Sequence, residues 1–209
     1  MGHVVLLGDS IFDNERYVPD RPPVIEQVRG RLPAGWKATL LAVDGAIAED
    51  VPKALPHLPA DATHLFISAG GNNALGYGGV LRDPACTVGE AMFLMAEVGG
   101  KFREEYREML REVLALRKPT AVCTVYDAIP GLGEAERTAL GLFNDVILRA
   151  AFEAGLPVLD LRFVCTRADD YSHVSPIEPS HLGGAKIAKL VAEVATAHDF
   201  ERGRTVVYW

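Results

Sequence analysis

Short runs rich in Val, Ile, Leu and Thr recur between segments whose apolar residues return at helical spacing. That alternation is the signature of repeated βα units and a mostly parallel sheet. Five runs stand out, at His3 to Leu7, Ala38 to Val43, His64 to Ser68, Thr120 to Tyr126 and Pro157 to Leu161. They are nearly continuous in apolar residues, as expected of strands covered by helices on both faces. Helices are expected near Pro23 to Arg31, Ala46 to Leu55, Gly89 to Leu116, Glu134 to Ala154 and Gly183 to Ala197. Within the longest, Phe102, Tyr106, Met109, Leu110 and Val113 fall on one face, an ordinary amphipathic stripe. Pro119 and Pro157 each precede a strand-like run, where a helix has ended and a backbone donor can be lost. Gly70 to Gly100 holds eight glycines and no clear strand, so part of it is expected to form a long loop beside a substrate cleft. The tail Thr205 to Trp209 is strand-like, suited either to packing on the body or to pairing with another chain.

Composition narrows the class of partner. A chain of 209 residues, 49% apolar, can bury a sizeable core and is expected to form one domain over residues 1–209. Lys and Arg number 21 against 28 Asp and Glu, and a net charge of -7 without a basic cluster argues against nucleic-acid binding. Cys86, Cys123 and Cys165 are widely spaced and odd in number, with no CxxC arrangement for zinc or redox work, and read as free thiols. The start, Met1-Gly2-His3, lacks the features of a secretory signal, and no apolar stretch approaches the roughly 20 residues of a membrane span. A cytoplasmic protein with small, non-polyanionic partners is expected. The Gly70 to Gly79 run contains neither GxxxxGK[ST] nor a helix-opening GxGxxG, so no nucleotide cofactor is implied.

In a parallel α/β sheet, ligands bind beyond the carboxyl ends of the strands. Three of those ends carry unusual polar groups here: Gly8-Asp9-Ser10, Asp44-Gly45 and Gly70-Gly71-Asn72-Asn73. A fourth polar group, Ser175 to His181, lies just before the last helix. A serine hydrolase needs a nucleophilic hydroxyl, a base and donors aimed at the oxyanion. Ser10 supplies the hydroxyl and, at the expected start of a helix, a free N–H; Gly45 N–H and the Asn72 amide are further donors. Each piece alone has a plainer reading, Gly-Asp-Ser as a capped turn, Gly45 as a turn glycine and Asn72 as a loop residue bonding its own backbone. Their joint placement at successive strand ends favours chemistry.

These residues resemble the SGNH or GDSL hydrolases, named for Ser, Gly, Asn and His in four sequence blocks. Gly8-Asp9-Ser10 matches the first block, Gly45 in Val43-Asp44-Gly45-Ala46 the second, and Gly70-Gly71-Asn72-Asn73 the third, with Asn73 where the family usually has Asp. The resemblance implies a three-layer α/β/α sandwich of flavodoxin-like type with a mostly parallel, five-stranded sheet, and Ser10, Gly45 and Asn72 as the oxyanion hole. The fourth block, a DxxH in the family, departs. One alignment keeps the spacing through Glu178 and His181 and gives a triad of Ser10, His181 and Glu178. The other counts back without a gap from the helix beginning at Gly183, placing Glu178 where the family has His and Ser175 where it has Asp. In that frame the standard triad is missing, and a carboxylate base needs burial to raise its pKa. His3, His57, His64 and His198 lie beside no such motif.

The expected function is hydrolysis of carboxylic esters of small molecules or acylated substrates through an acyl-serine intermediate, with no metal or cofactor. The alternatives are acyl transfer on the same site and a noncatalytic ligand-binding protein that has lost the base.

Overall fold

A computed structural model describes all residues, Met1–Trp209. Six strands form one parallel sheet: β1 (His3–Gly8), β2 (Lys37–Leu40), β3 (His64–Ser68), β4 (Thr120–Cys123), β5 (Val158–Leu159) and β6 (Val207–Tyr208). Their order is β2-β1-β3-β4-β5-β6. The seven α-helices are α1 (Val24–Arg29), α2 (Val51–Ala54), α3 (Gly71–Tyr77), α4 (Val88–Leu114), α5 (Glu134–Ala154), α6 (Leu161–Val164) and α7 (His181–Ala197). The expected α/β architecture with helices on both faces is what the chain adopts, with six strands in place of five. The added strand is the tail, whose backbone pairs with β5 through Val158 N–H to the Val206 carbonyl (2.9 Å) and Asp160 N–H to the Tyr208 carbonyl (2.8 Å).

Alternation along β1 divides the core. Val4 and Leu6 face a cluster with Ile187, Val191 and Val194 of α7, while Val5 and Leu7 face Phe102 and Tyr106 of α4 and Ile147 of α5. Both neighbouring positions are buried, which is why the sequence runs read as continuously apolar. Some strands are shorter than their apolar runs. β2 stops at Leu40 because the N–H groups of Leu41 and Ala42 converge on one carbonyl, that of Leu6. Beyond β4, the Asn144 side chain takes over the backbone of Val125, accepting from its N–H and donating to its carbonyl, both at 2.8 Å.

The glycine-rich stretch after β3 is mostly helical, contrary to the long loop expected. α3 is followed by a 3-10 turn at Gly78–Arg82, and only the residues from Asp83 to Thr87 separate this from α4. Thr87 caps α4 by accepting from the Glu90 N–H at 3.1 Å, a Thr-x-x-Glu start signal present in the sequence. No helix is long and apolar enough to cross a membrane.

Candidate active site

The chain leaves β1 through a residue that only glycine can supply. Gly8 has φ +113, and a Cβ there would stand 1.7 Å from the Ser68 carbonyl oxygen of β3. This close approach lets the Asp9 N–H reach that carbonyl at 3.0 Å. The Asp9 carboxyl then turns inward, its Oδ1 accepting from the Ser68 hydroxyl (2.7 Å) and the Ile11 N–H (3.2 Å). The Asp9 carbonyl accepts from Phe12 and Asp13 N–H, both at 3.1 Å, closing a single turn that presents Ser10. No α-helix follows, in contrast to the expected helix start at Ser10; Glu15–Tyr17 makes only a 3-10 turn. The next α-helix waits until Val24, because Asp13-Asn14 and the prolines at 19, 22 and 23 interrupt the helical ladder. The Ser10 N–H nonetheless makes no hydrogen bond within the protein.

After β3, α3 begins at once and its second and third residues stitch it to the β2 loop. Asn72 Nδ2 donates to the Ala46 carbonyl at 2.9 Å. Asn73, buried, accepts from the Ala48 N–H at 3.0 Å and donates to Glu49 and Glu105, each at 3.1 Å. Asn73 thus has a structural task that an amide performs and a carboxylate would not, since both of its acceptors are carboxylates. Gly45, at φ +84, lies in this loop with its N–H unbonded. Its neighbour Asp44 is fixed by the Tyr17 hydroxyl and the Arg16 guanidinium, both at 2.9 Å. Gly45 borders a depression of about 630 Å³ that it shares with Gly8, Asp44 and Ala46.

The fourth segment is held carbonyl by carbonyl. Tyr126 hydroxyl donates to Ile177 (2.7 Å), Ser172 N–H to Glu178 (2.8 Å) and Asn14 Nδ2 to Pro179 (3.1 Å). Three consecutive backbone acceptors are therefore satisfied, and the Glu178 side chain is aimed inward with 5% exposure. Ser180 caps α7, accepting from Leu182 and Gly183 N–H. This cap starts the helix at His181, two residues earlier than the periodicity suggests, and the His181 carbonyl accepts from Gln27.

Ser10, Asn72 and Glu178 line one cleft of about 450 Å³. It opens beyond the carboxyl ends of the paired strands β1 and β3, the point at which the sheet's winding reverses and ligand sites form in this topology. Gly45 lies on the neighbouring depression, tied to the cleft through the Asn72–Ala46 hydrogen bond. The His181 ring lines neither, and His173 is exposed. Of the two fourth-block candidates, Glu178 lines the cleft with Ser10 and Asn72, and His181 does not.

Two buried carboxyls dominate the cleft's electrostatics. Burial raises the Asp9 pKa to about 7, against the lowering effect of the Ser68 hydroxyl and Ile11 N–H, with Glu178 adding like-charge repulsion. Burial also raises Glu178, and the Ser10 hydroxyl is the one neighbour favouring its charged form. Glu178 Oε2 is buried without a hydrogen-bond partner in the protein. No three His, Cys, Asp or Glu side chains converge as metal ligands would.

Sequence reasoning passed over Asp9 as a titrating group and Tyr126 and Asn14 as supports for Glu178. Asp9 was visible inside the Gly-Asp-Ser block; the other two have no sequence signal, since their partners lie 51 and 165 residues away.

Solved structures share this arrangement of elements. A lipase from a goat rumen metagenome superposes with a TM-score of 0.71 at 17% identity, over 92% of this chain and 97% of that one. An extracellular lipase from Streptomyces rimosus gives 0.65 at 17% identity, over 94% and 100%. An acetyl xylan esterase from Geobacillus stearothermophilus gives 0.65 at 16%, over 100% and 97%. No curated protein matches the sequence. Residues 6–185, which carry all four polar blocks, match the model of the GDSL-like lipase/acylhydrolase family. The chain belongs to that family and is an ester-cleaving hydrolase.

Proposed function

We propose that the protein hydrolyses carboxylic esters of small molecules through an acyl-serine intermediate, with Ser10 as nucleophile and Glu178 as general base in the place of histidine. The observation that carries this reading is the Glu178 carboxylate, buried on the cleft beside Ser10 with one oxygen unpaired. A carboxylate of ordinary pKa is a poor base for a serine hydroxyl, but desolvation raises its proton affinity and improves the match. In the first step Glu178 takes the Ser10 proton as Oγ attacks the carbonyl carbon. It then returns that proton to the departing alcohol, and repeats the cycle with water to release the acid. The unbonded Ser10 N–H and the remaining Asn72 N–H, both on the cleft, supply donors for the oxyanion; Gly45, with its N–H also unbonded, stands on the neighbouring depression. The structural neighbours, lipases and an acetyl xylan esterase, support esters as the substrate class.

Turnover of a short p-nitrophenyl ester by the parent, Ser10→Ala, Glu178→Gln and His181→Ala tests the assignment. Ser10→Ala should abolish it, Glu178→Gln should lower kcat by about 10²-fold or more, and His181→Ala should leave most of it. Loss of activity in folded His181→Ala, with Glu178→Gln still active, would replace this reading by the Ser10–His181–Glu178 triad.

A further inference from the structure

The cleft is far larger and more apolar than an acetyl ester requires. Of its 26 lining residues 17 are hydrophobic, and they are unevenly distributed. Asp9, Ser10, Asn72 and Glu178 belong to the strand-end loops and the start of α3, whereas α4 and α5 contribute Val98, Leu140 and Phe143, all buried. Val80 of the 3-10 turn and Ala74 of α3 complete that apolar part. The other charged lining residues, Arg82 and Glu136, are both exposed at the rim. Leu75 and Leu81 extend the apolar lining to the outside, 60% and 37% exposed.

We infer that the acyl group taken by this site is an uncharged hydrocarbon chain of medium length, seated between α3, α4 and α5 with its carbonyl at Ser10. The inference rests on the serine-hydrolase reading and adds the substrate's chemistry to it. At about 30 Å³ for each water-sized group, 450 Å³ holds roughly fifteen such groups. An acetyl group brings three heavy atoms and would leave most of the apolar wall uncovered; an octanoyl group brings nine. Each methylene buried favours binding by about fourfold, so a chain that fills the wall is selected over acetyl. A charged acyl tail is disfavoured because the interior of the wall offers no counter-ion.

The experiment compares kcat/KM for p-nitrophenyl acetate, butyrate, octanoate and hexadecanoate, with a binding measurement that needs no turnover. Octanoate is expected to exceed acetate by at least tenfold, and methyl octanoate to raise the Tm of Ser10→Ala where methyl acetate does not. Ala139→Phe on α5 and Ala74→Phe on α3, which fill the cavity from different walls, should each lower the octanoate-to-acetate ratio at least tenfold. A parent preference for acetate, or an octanoate-to-acetate ratio unmoved in both folded variants, overturns the inference while leaving the Ser10 reading standing. Ester turnover that survives Ser10→Ala overturns the reading instead, and with it the seating of the carbonyl at Ser10.

Discussion

Asp9→Asn should make the protein more stable at neutral and alkaline pH, although it removes an ionisable residue next to Ser10. The Asp9 carboxyl titrates at about 7 in the folded chain against 3.8 in the unfolded one, because burial disfavours its charge. Between those values the folded state holds a proton that the unfolded state has released. Stability from this group is therefore full below pH 3.8, falls as pH rises through the window, and levels off above 7. At 1.36 kcal/mol per pKa unit, the loss approaches about 4 kcal/mol by pH 8. Asparagine is isosteric with the neutral carboxyl, and its Oδ1 can still accept from the Ser68 hydroxyl and Ile11 N–H. Urea unfolding of parent and variant from pH 4 to 8.5 measures the difference, in which the titration of every other group largely cancels. The difference should be small near pH 4 and grow with a slope approaching 1.4 kcal/mol per pH unit before flattening above 7. A difference that does not change with pH, or an asparagine variant less stable than the parent at pH 8, would refute the burial argument.

Three further outcomes follow from the same geometry. Because burial raises Glu178 and only its ionised form can act as base, kcat/KM for a neutral ester should climb with pH through a midpoint above the usual carboxylate range; a midpoint near 4 would contradict this. Tyr126→Phe removes the donor to the Ile177 carbonyl and should cost about 1 kcal/mol in urea unfolding, with a fall in kcat as Glu178 loses its anchor. Unchanged kcat would show that Tyr126 does not position Glu178. Gly8→Ala forces a Cβ onto the Ser68 carbonyl at a positive φ and should lower stability by at least 3 kcal/mol or prevent folding; a Tm within a few degrees of the parent would mean that β1 and β3 can separate at little cost.

The alternation of apolar runs with helical segments was enough to give a parallel α/β sheet, because burial on both faces leaves its mark on every strand residue. Glu134–Ala154 was legible to the residue, since Gly133 before it and Gly155 after it punctuate a regular amphipathic stretch. The tail strand was only half legible: two paired residues at a sheet edge look the same in sequence whether they join their own chain or another. The Gly70 to Gly100 stretch misled because glycine content suggested a loop, while tertiary packing against Phe143 and Leu140 makes short helices there worthwhile.

Ser10 and Asn72 could be placed at strand ends from spacing alone, because β1 and β3 are adjacent and each polar block follows its strand directly. Which fourth-block residue lines the cleft could not be chosen that way, since Glu178 and His181 are three residues apart and either fits a sequence frame. Which of the two reaches the cleft was decided by Tyr126, Ser172 and Asn14, which fix the backbone around Glu178, and by Ser180, whose cap draws His181 into α7. Those hydrogen bonds join positions far apart in the chain and follow no local pattern, so the sequence determined the strand-end chemistry and the tertiary structure decided which carboxylate or imidazole stands beside it.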